Sequence, residues 1–304
     1  MMRSLYSGVS GLRTHQVRMD VIGTNLANVN TVGFKASRVT FRDVLYQTVS
    51  NPAMPSDVPQ RGGTNPSQIG LGVMIGSIDV LNTRAGPMLT DKPTDLYIDG
   101  EGYFAVLNAS SGVTYYSRVG DFNFIPVTAD DGEQTVALLD GNGNFVLGVV
   151  WDPPLDEYDP SHLGDDGSYA DELNVITIAE FTKYSQIRIG EDGVITGYDT
   201  SAEAGEYPTK YLGQIILNKF MNNDGLFQEG NTYLLPSVSS GNPVAYAAGF
   251  GGTGETITSR LEMSNVELSK EFTDMIVTQR GFQANSRIIT VSDEMLQELV
   301  NLKR

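Results

Sequence analysis

Cysteine is absent from this chain, and histidine occurs only as His15 and His162. The first absence removes disulfides, thiolate metal sites and cysteine nucleophiles. The second leaves imidazole metal clusters and histidine-based triads poorly supplied, so a typical hydrolase or zinc enzyme is disfavoured and no cofactor is expected. No apolar run approaches the ~20 residues of a membrane-spanning helix, which argues against membrane insertion. The start is no secretory signal either, because Arg3, Ser4, Ser7, Gly8 and Ser10 interrupt every apolar run up to Gly11. Any export is therefore expected to use another route.

Basic residues are scarce in the middle. Between Asp121 and Glu206 nineteen acidic residues stand against Lys183 and Arg188, an excess that equals the net charge of −17 of the whole chain. The first fifty residues instead carry Arg3, Arg13, Arg18, Lys35, Arg38 and Arg42 against Asp20 and Asp43. Ends without the acidic excess and an acidic middle fit termini buried against like copies and a middle facing solvent, and disfavour nucleic acid as a partner.

What is present is helical patterning at the two ends only. Leu5, Leu12, Met19 and Leu26 fall seven residues apart, as do Leu261, Leu268, Met275, Phe282, Ile289 and Leu296. Such spacing keeps one narrow stripe of each helix facing a partner. Four residues after each C-terminal apolar position stand Asn265, Phe272, Gln279, Ser286, Asp293 and Val300, which predicts a seam polar on one side. Gly8, Gly11 and Gly23 each cost roughly 1 kcal/mol relative to Ala, so the first helix should need partners to persist.

After Gly33 short alternating runs begin, among them Gly76 to Leu81, Tyr103 to Leu107, Thr135 to Leu139, Phe145 to Val149 and Tyr211 to Leu217, with turn signals at Asp99-Gly100, Asp140-Gly141-Asn142-Gly143 and Asp192-Gly193. That spacing predicts an all-β middle. Helix is expected to resume near Ile257. The fold class is thus mixed α and β, with N- and C-terminal α-helices pairing as a coiled coil and an all-β body inserted between them. In this division a discontinuous helical domain takes 1–34 plus 257–304 and a β-rich body takes 35–256, including a long mobile loop at 51–72 and an acidic insertion at 152–169.

Other motifs carry little. Gly249, Gly251 and Gly254 fit a dinucleotide glycine pattern but lack a βαβ unit and read as a linker into the last helix. Asp140, Asn142 and Asn144 open like a calcium loop, yet Phe145 stands where that loop needs Gly, so a hairpin turn is expected. Asp130-Asp131 and Asp165-Asp166 read as solvated loop charges rather than an acid and base, and Asn108-Ala109-Ser110 as a glycosylation sequon in form only.

The stretch from Met19 to Lys35, with Asn25-Leu26-Ala27-Asn28 at its centre and Gly33-Phe34-Lys35 at its end, closely resembles the N-terminal signature of bacterial flagellar rod and hook proteins. Leu261-Glu262-Met263-Ser264-Asn265-Val266 and Gln279-Arg280-Gly281-Phe282-Gln283-Ala284-Asn285-Ser286 resemble its C-terminal counterpart, and Thr94-Asp95-Leu96 and Asp99 to Phe104 extend the similarity. The opening Met2 to Gly11 and the ending Leu296 to Arg304 look most like a short-form hook protein. The resemblance implies a structural subunit and not an enzyme, exported without a cleaved signal and self-assembling into a flexible helical tube that transmits motor torque to the filament. Its implied partners are further copies of itself, the distal rod and hook–filament junction proteins, and the hook cap and export apparatus during assembly. The self-assembly residues it points to are the two heptad rows with Asn25, Asn28, Gln279 and Ser286. The alternatives are the distal rod, a rigid drive shaft, and more remotely an enzyme working from the acidic β body.

Overall fold

The computed structural model describes residues 2–54, 56–57, 60–128, 134–155, 167–169, 173–179, 181–200 and 209–302. The chain forms two compact units, one holding residues 1–29, 36–81 and 266–304 and the other 30–35 and 82–265.

The first unit is built on helices α1 (Met2–Ala27) and α2 (Leu268–Asn301), which pack against each other. Strands Ser37–Asp43 and Val73–Val80 pair antiparallel and lie on α1, and the ribbon continues outward through Tyr46–Ser50 paired with Ser67–Gly70. At its tip Ser56–Asp57 pairs with Gln60–Arg61. The expected loop at 51–72 is therefore largely a β-hairpin. Alternation failed to announce it because the described positions of Tyr46–Ser50 and Ser67–Gly70 are exposed on both faces, so neither face requires apolar residues. The 37–80 ribbon groups with the helices, and the larger β unit takes residues 30–35 and 82–265.

The second unit is all β. Among the described residues its main sheet runs Phe122–Thr128, Gln134–Asp140, Phe145–Leu155, Thr209–Lys219, Tyr103–Leu107, Thr114–Ser117, Tyr233–Leu235, Phe227–Gly230, with every pair antiparallel. Near-continuous burial along Tyr103–Leu107 and Thr209–Lys219 fits central strands covered on both faces. Phe104 and Phe122 meet edge to face at 5.1 Å within a core of Leu96, Ile98, Leu138, Ile195, Ile215 and Leu217.

Helix does not resume at Ile257. Glu255–Thr258 pairs with Leu96–Asp99 and Arg260–Glu262 with Pro87–Leu89, so Leu261, expected to open a helical heptad row, is a strand residue only 7% exposed. The β-branched run Thr256-Ile257-Thr258 favours a strand, and the pairing partners lie more than 150 residues away, beyond what local periodicity can reveal. Gly249 and Gly251 take positive φ in a turn that leads to strand Glu255–Thr258, not to the helix. The Asp140 turn is the expected hairpin: its carboxylate accepts the backbone N–H groups of Asn142 and Asn144 at 2.9 and 2.8 Å. The start and end of the acidic insertion join strands, through Phe145–Leu155 and through Ser168–Tyr169 paired with Ala245 and Tyr246. Residues 156–166, Asp130-Asp131 and Asp165-Asp166 lie outside the described residues.

Candidate assembly surface

The helix pair is antiparallel, and of the predicted apolar rows its closest contacts include Ile289 while the rest are small or polar residues. Gly8 faces Ile289, Gly11 faces Asn285, His15 lies on Gly281, Arg18 reaches Asp274 at 3.0 Å, and Asn25 reaches Glu271 at 3.2 Å. The contacts run through Gly8, Gly11, His15, Arg18 and Asn25 on α1 and Glu271, Asp274, Gly281, Asn285 and Ile289 on α2, and the buried Ile22, Thr278 and Ser292 fall at the same spacing. Both rows advance mostly by steps of three and four, the spacing of a heptad seam, but small and polar residues occupy it. Thr278 and Ser292 are buried there and donate to the carbonyls of Asp274 and Ile288 one turn back. Small side chains let two backbones approach closely. A Cβ on Gly281 would stand 2.7 Å from the His15 ring.

Leu5, Leu12, Met19 and Leu26 fall beside this seam on α1, and Leu268, Met275, Phe282, Ile289 and Leu296 occupy the equivalent flanking position on α2. In an antiparallel pair equivalent flanking positions lie on the same side, so the two rows form one apolar ribbon. Most of its members are half-buried, while Leu268 and Phe282 are exposed. Gln279 is exposed and Ser286 half-buried. Phe272, Ile276, Met295 and Leu299 are also exposed on α2. Together with Leu268 and Phe282 they leave apolar surface exposed along α2.

Asn25 and Asn28 have different tasks. Asn25 is buried, and its amide donates to the Ser37 carbonyl at 2.8 Å while its oxygen accepts the Ser37 N–H at 3.0 Å, so one side chain pairs like a strand with the start of the ribbon. Burial pushes the neighbouring Glu271 carboxyl upward, against the hydrogen bond from Asn25 that favours its charge. Asn28 donates to the Thr24 carbonyl at 3.0 Å in the last turn of α1.

A second organised centre lies in the β unit and was missed from sequence. Glu262 is fully buried and accepts Lys35 Nζ at 2.7 Å, Arg118 Nε at 2.7 Å and the Ala85 N–H at 3.0 Å. Arg118 also donates to the carbonyls of Gly100 and Gly102, and Lys35 to that of Thr83. Gly33, at φ +69, delivers the chain to this point and its N–H reaches the Glu262 carbonyl at 2.8 Å. Burial opposes the charge on Glu262, but Arg118 and Lys35 more than offset it and hold its carboxyl below the usual range. Burial likewise lowers Lys35. The one sequence signal was a lone Glu after Leu261 in a strand-forming stretch.

A polar cavity of about 240 Å³ lies between Ser117, Asp121, Asn142, Asn231 and Tyr233. Asp140 accepts the Tyr233 hydroxyl, and the amides of Asn142 and Asn144 donate to that hydroxyl at 2.8 Å each. Burial and Asp140 push the phenol up to about 12. The inner groups satisfy one another, the arrangement of a structural network.

Three family models match the chain: "Flagella basal body rod protein" over residues 5–35, "Flagellar hook protein FlgE/F/G D1 domain" over 97–197 and "Flagellar basal body rod FlgEFG protein C-terminal" over 257–302. The flagellar basal-body rod protein FlgG of Bacillus subtilis is 42% identical over 305 residues, covering 100% of both chains. The chain belongs to the flagellar rod and hook protein family. The flagellar hook protein FlgE of Borreliella burgdorferi is 30% identical over 449 residues, again with 100% of both chains covered. The rod protein FlgG of Caulobacter vibrioides is 32% identical over 302 residues, 99% of this chain and 100% of the relative. The rod and hook family is one of structural flagellar proteins, and its two terminal models hold both Lys35 and Glu262 as well as nearly all of α1 and α2.

Proposed function

We propose that this chain is a structural subunit of the flagellar axis, and within it of the hook, whose copies join through the terminal helices into a flexible helical tube outside the cell. The apolar ribbon along the α1–α2 pair carries the reading. A single chain leaves it half-covered, with Leu268 and Phe282 exposed, and further copies packing their own helix pairs against it would complete its burial in coiled-coil fashion. Contacts that join unlike surfaces of successive copies, with a rotation that does not close, generate the open helix such a tube requires. Leu5, Leu12, Met19, Leu26, Leu268, Met275, Phe282, Ile289 and Leu296 are then assembly residues, with Gln279 and Ser286 beside them. Distal rod and hook–filament junction proteins would adjoin the ends of the tube, and the hook cap and export apparatus would act during assembly.

The hook assignment is supported by the opening and closing segments and by the full-length similarity to the Borreliella hook protein. The distal rod is the second reading, favoured by the 42% identity to a protein named for the rod. Electron micrographs of cells carrying a tag in the acidic segment, and of the purified assembly, test both. A curved, bendable labelled tube supports the hook and a straight, rigid one the rod. A chain that stays monomeric under all assembly conditions sinks the structural reading.

A further inference from the structure

We propose that His15 makes the pairing of the terminal helices acid-labile, because its imidazole fits the helix seam only in the neutral form. The ring sits in the notch left by Gly281, where an added Cβ would stand 2.7 Å from Cε1 and Nε2. It meets the edge of Phe41 at 5.5 Å between ring centres. Its Nδ1 is buried and has no hydrogen-bond partner among the described residues.

A neutral imidazole leaves at most one weakly solvated nitrogen there. An imidazolium places a charged N–H in the same position with nothing to accept it.

The charges around the ring give it no help. Arg18, one turn along α1, is a cation, and its guanidinium is taken by Asp274 of α2 at 3.0 Å and lies over Phe41. The strand Ser37–Asp43 presents Phe41, and its Arg42 turns toward Met74 on Val73–Val80 at 4.0 Å. Glu271, further along α2, is engaged by Asn25. Burial first, and Arg18 second, lower His15 from its ordinary 6.5.

A group whose folded-state pKa is depressed is protonated more readily when the helices separate. Pairing is then undiminished above about pH 6.5, weakens as pH falls below that value, and levels out beneath the folded-state pKa. Within that window one proton is linked to opening, so the pairing constant falls by up to about tenfold per pH unit. Glu271 works in the opposite direction: its raised carboxyl strengthens pairing as pH falls toward 4.5.

The full-length chain and its His15→Gln variant are heated at pH values from 8 to 5, with the helical signal at 222 nm and Trp151 fluorescence followed in parallel. The expected result is a helix transition that moves down with acid only when His15 is present, with a slight upward drift in the variant from Glu271. The Trp151 transition of the β unit should move alike in both chains. Proton NMR of a His162→Gln chain isolates one imidazole, which should titrate below 6.5. Parallel acid loss of the helix transition in both chains, or titration at or above 6.5, overturns the proposal.

Discussion

Replacing Glu262 by Ala should destabilise the β unit strongly. Two charge-assisted hydrogen bonds are lost, to Lys35 and Arg118, and the buried Ala85 N–H loses its acceptor. Removing one partner of a buried ionic group costs about 3–5 kcal/mol, because the remaining charges stay desolvated. The cost stays within that range, since Arg118 keeps the carbonyls of Gly100 and Gly102 and Lys35 keeps that of Thr83. About 4 kcal/mol with a urea dependence of about 2 kcal/mol/M lowers the unfolding midpoint by about 2 M. Trp151, the sole tryptophan, is buried in strand Phe145–Leu155 and reports this unit. Lys35→Met should cost less, because Arg118 still neutralises the carboxylate. The sign with pH follows from the depressed carboxyl: its stabilisation is present above about 4.5 and is lost as pH falls through the folded-state value. The gap between wild type and Glu262→Ala should therefore narrow near pH 3. A midpoint change under about 0.5 M at pH 7 would refute the reasoning.

Three further outcomes follow from the same geometry. Gly281→Ala gains about 1 kcal/mol of helix propensity but forces the His15 ring out of its notch at about 1–3 kcal/mol, so the helix transition at 222 nm should fall or stay level, and a clear rise would count against the notch. Asn25→Ala strands the Ser37 N–H and carbonyl, and hydrogen exchange should quicken at the start of the ribbon in line with a loss of about 1–3 kcal/mol; unchanged protection would show that Ser37 finds another partner. A chain ending at Asn265 should keep the Trp151 transition and lose the ability to polymerise, and unfolding of that fragment would contradict the independence of the β unit.

The strands from Tyr103 to Leu107 and from Tyr211 to Leu217 were legible because they are central and apolar along their length. The Asp140 turn was legible because its residues bond locally. The ribbon at 46–70 was not, since exposed strands leave no apolar alternation. The helix seam was hidden for a related reason. Its heptad spacing was present in Gly8, Gly11, His15, Arg18, Ile22 and Asn25, but small and polar residues do not register in a search for apolar rows.

By itself the sequence determined which ends are helical, that the middle is β, that excess negative charge lies between Asp121 and Glu206, and that the chain resembles the flagellar rod and hook family. These are properties of composition, local period and motif. Tertiary structure alone decided which face of each helix meets the other, because a helix with an apolar row beside a small-residue row can pack by either and close backbone approach selects the second. It also decided that Leu261 belongs to a strand and that Lys35, Arg118 and Glu262 meet. Residues 227 positions apart in the chain are brought to 2.7 Å only when the sheet closes around them, and a buried carboxylate is stable only once both cations have arrived.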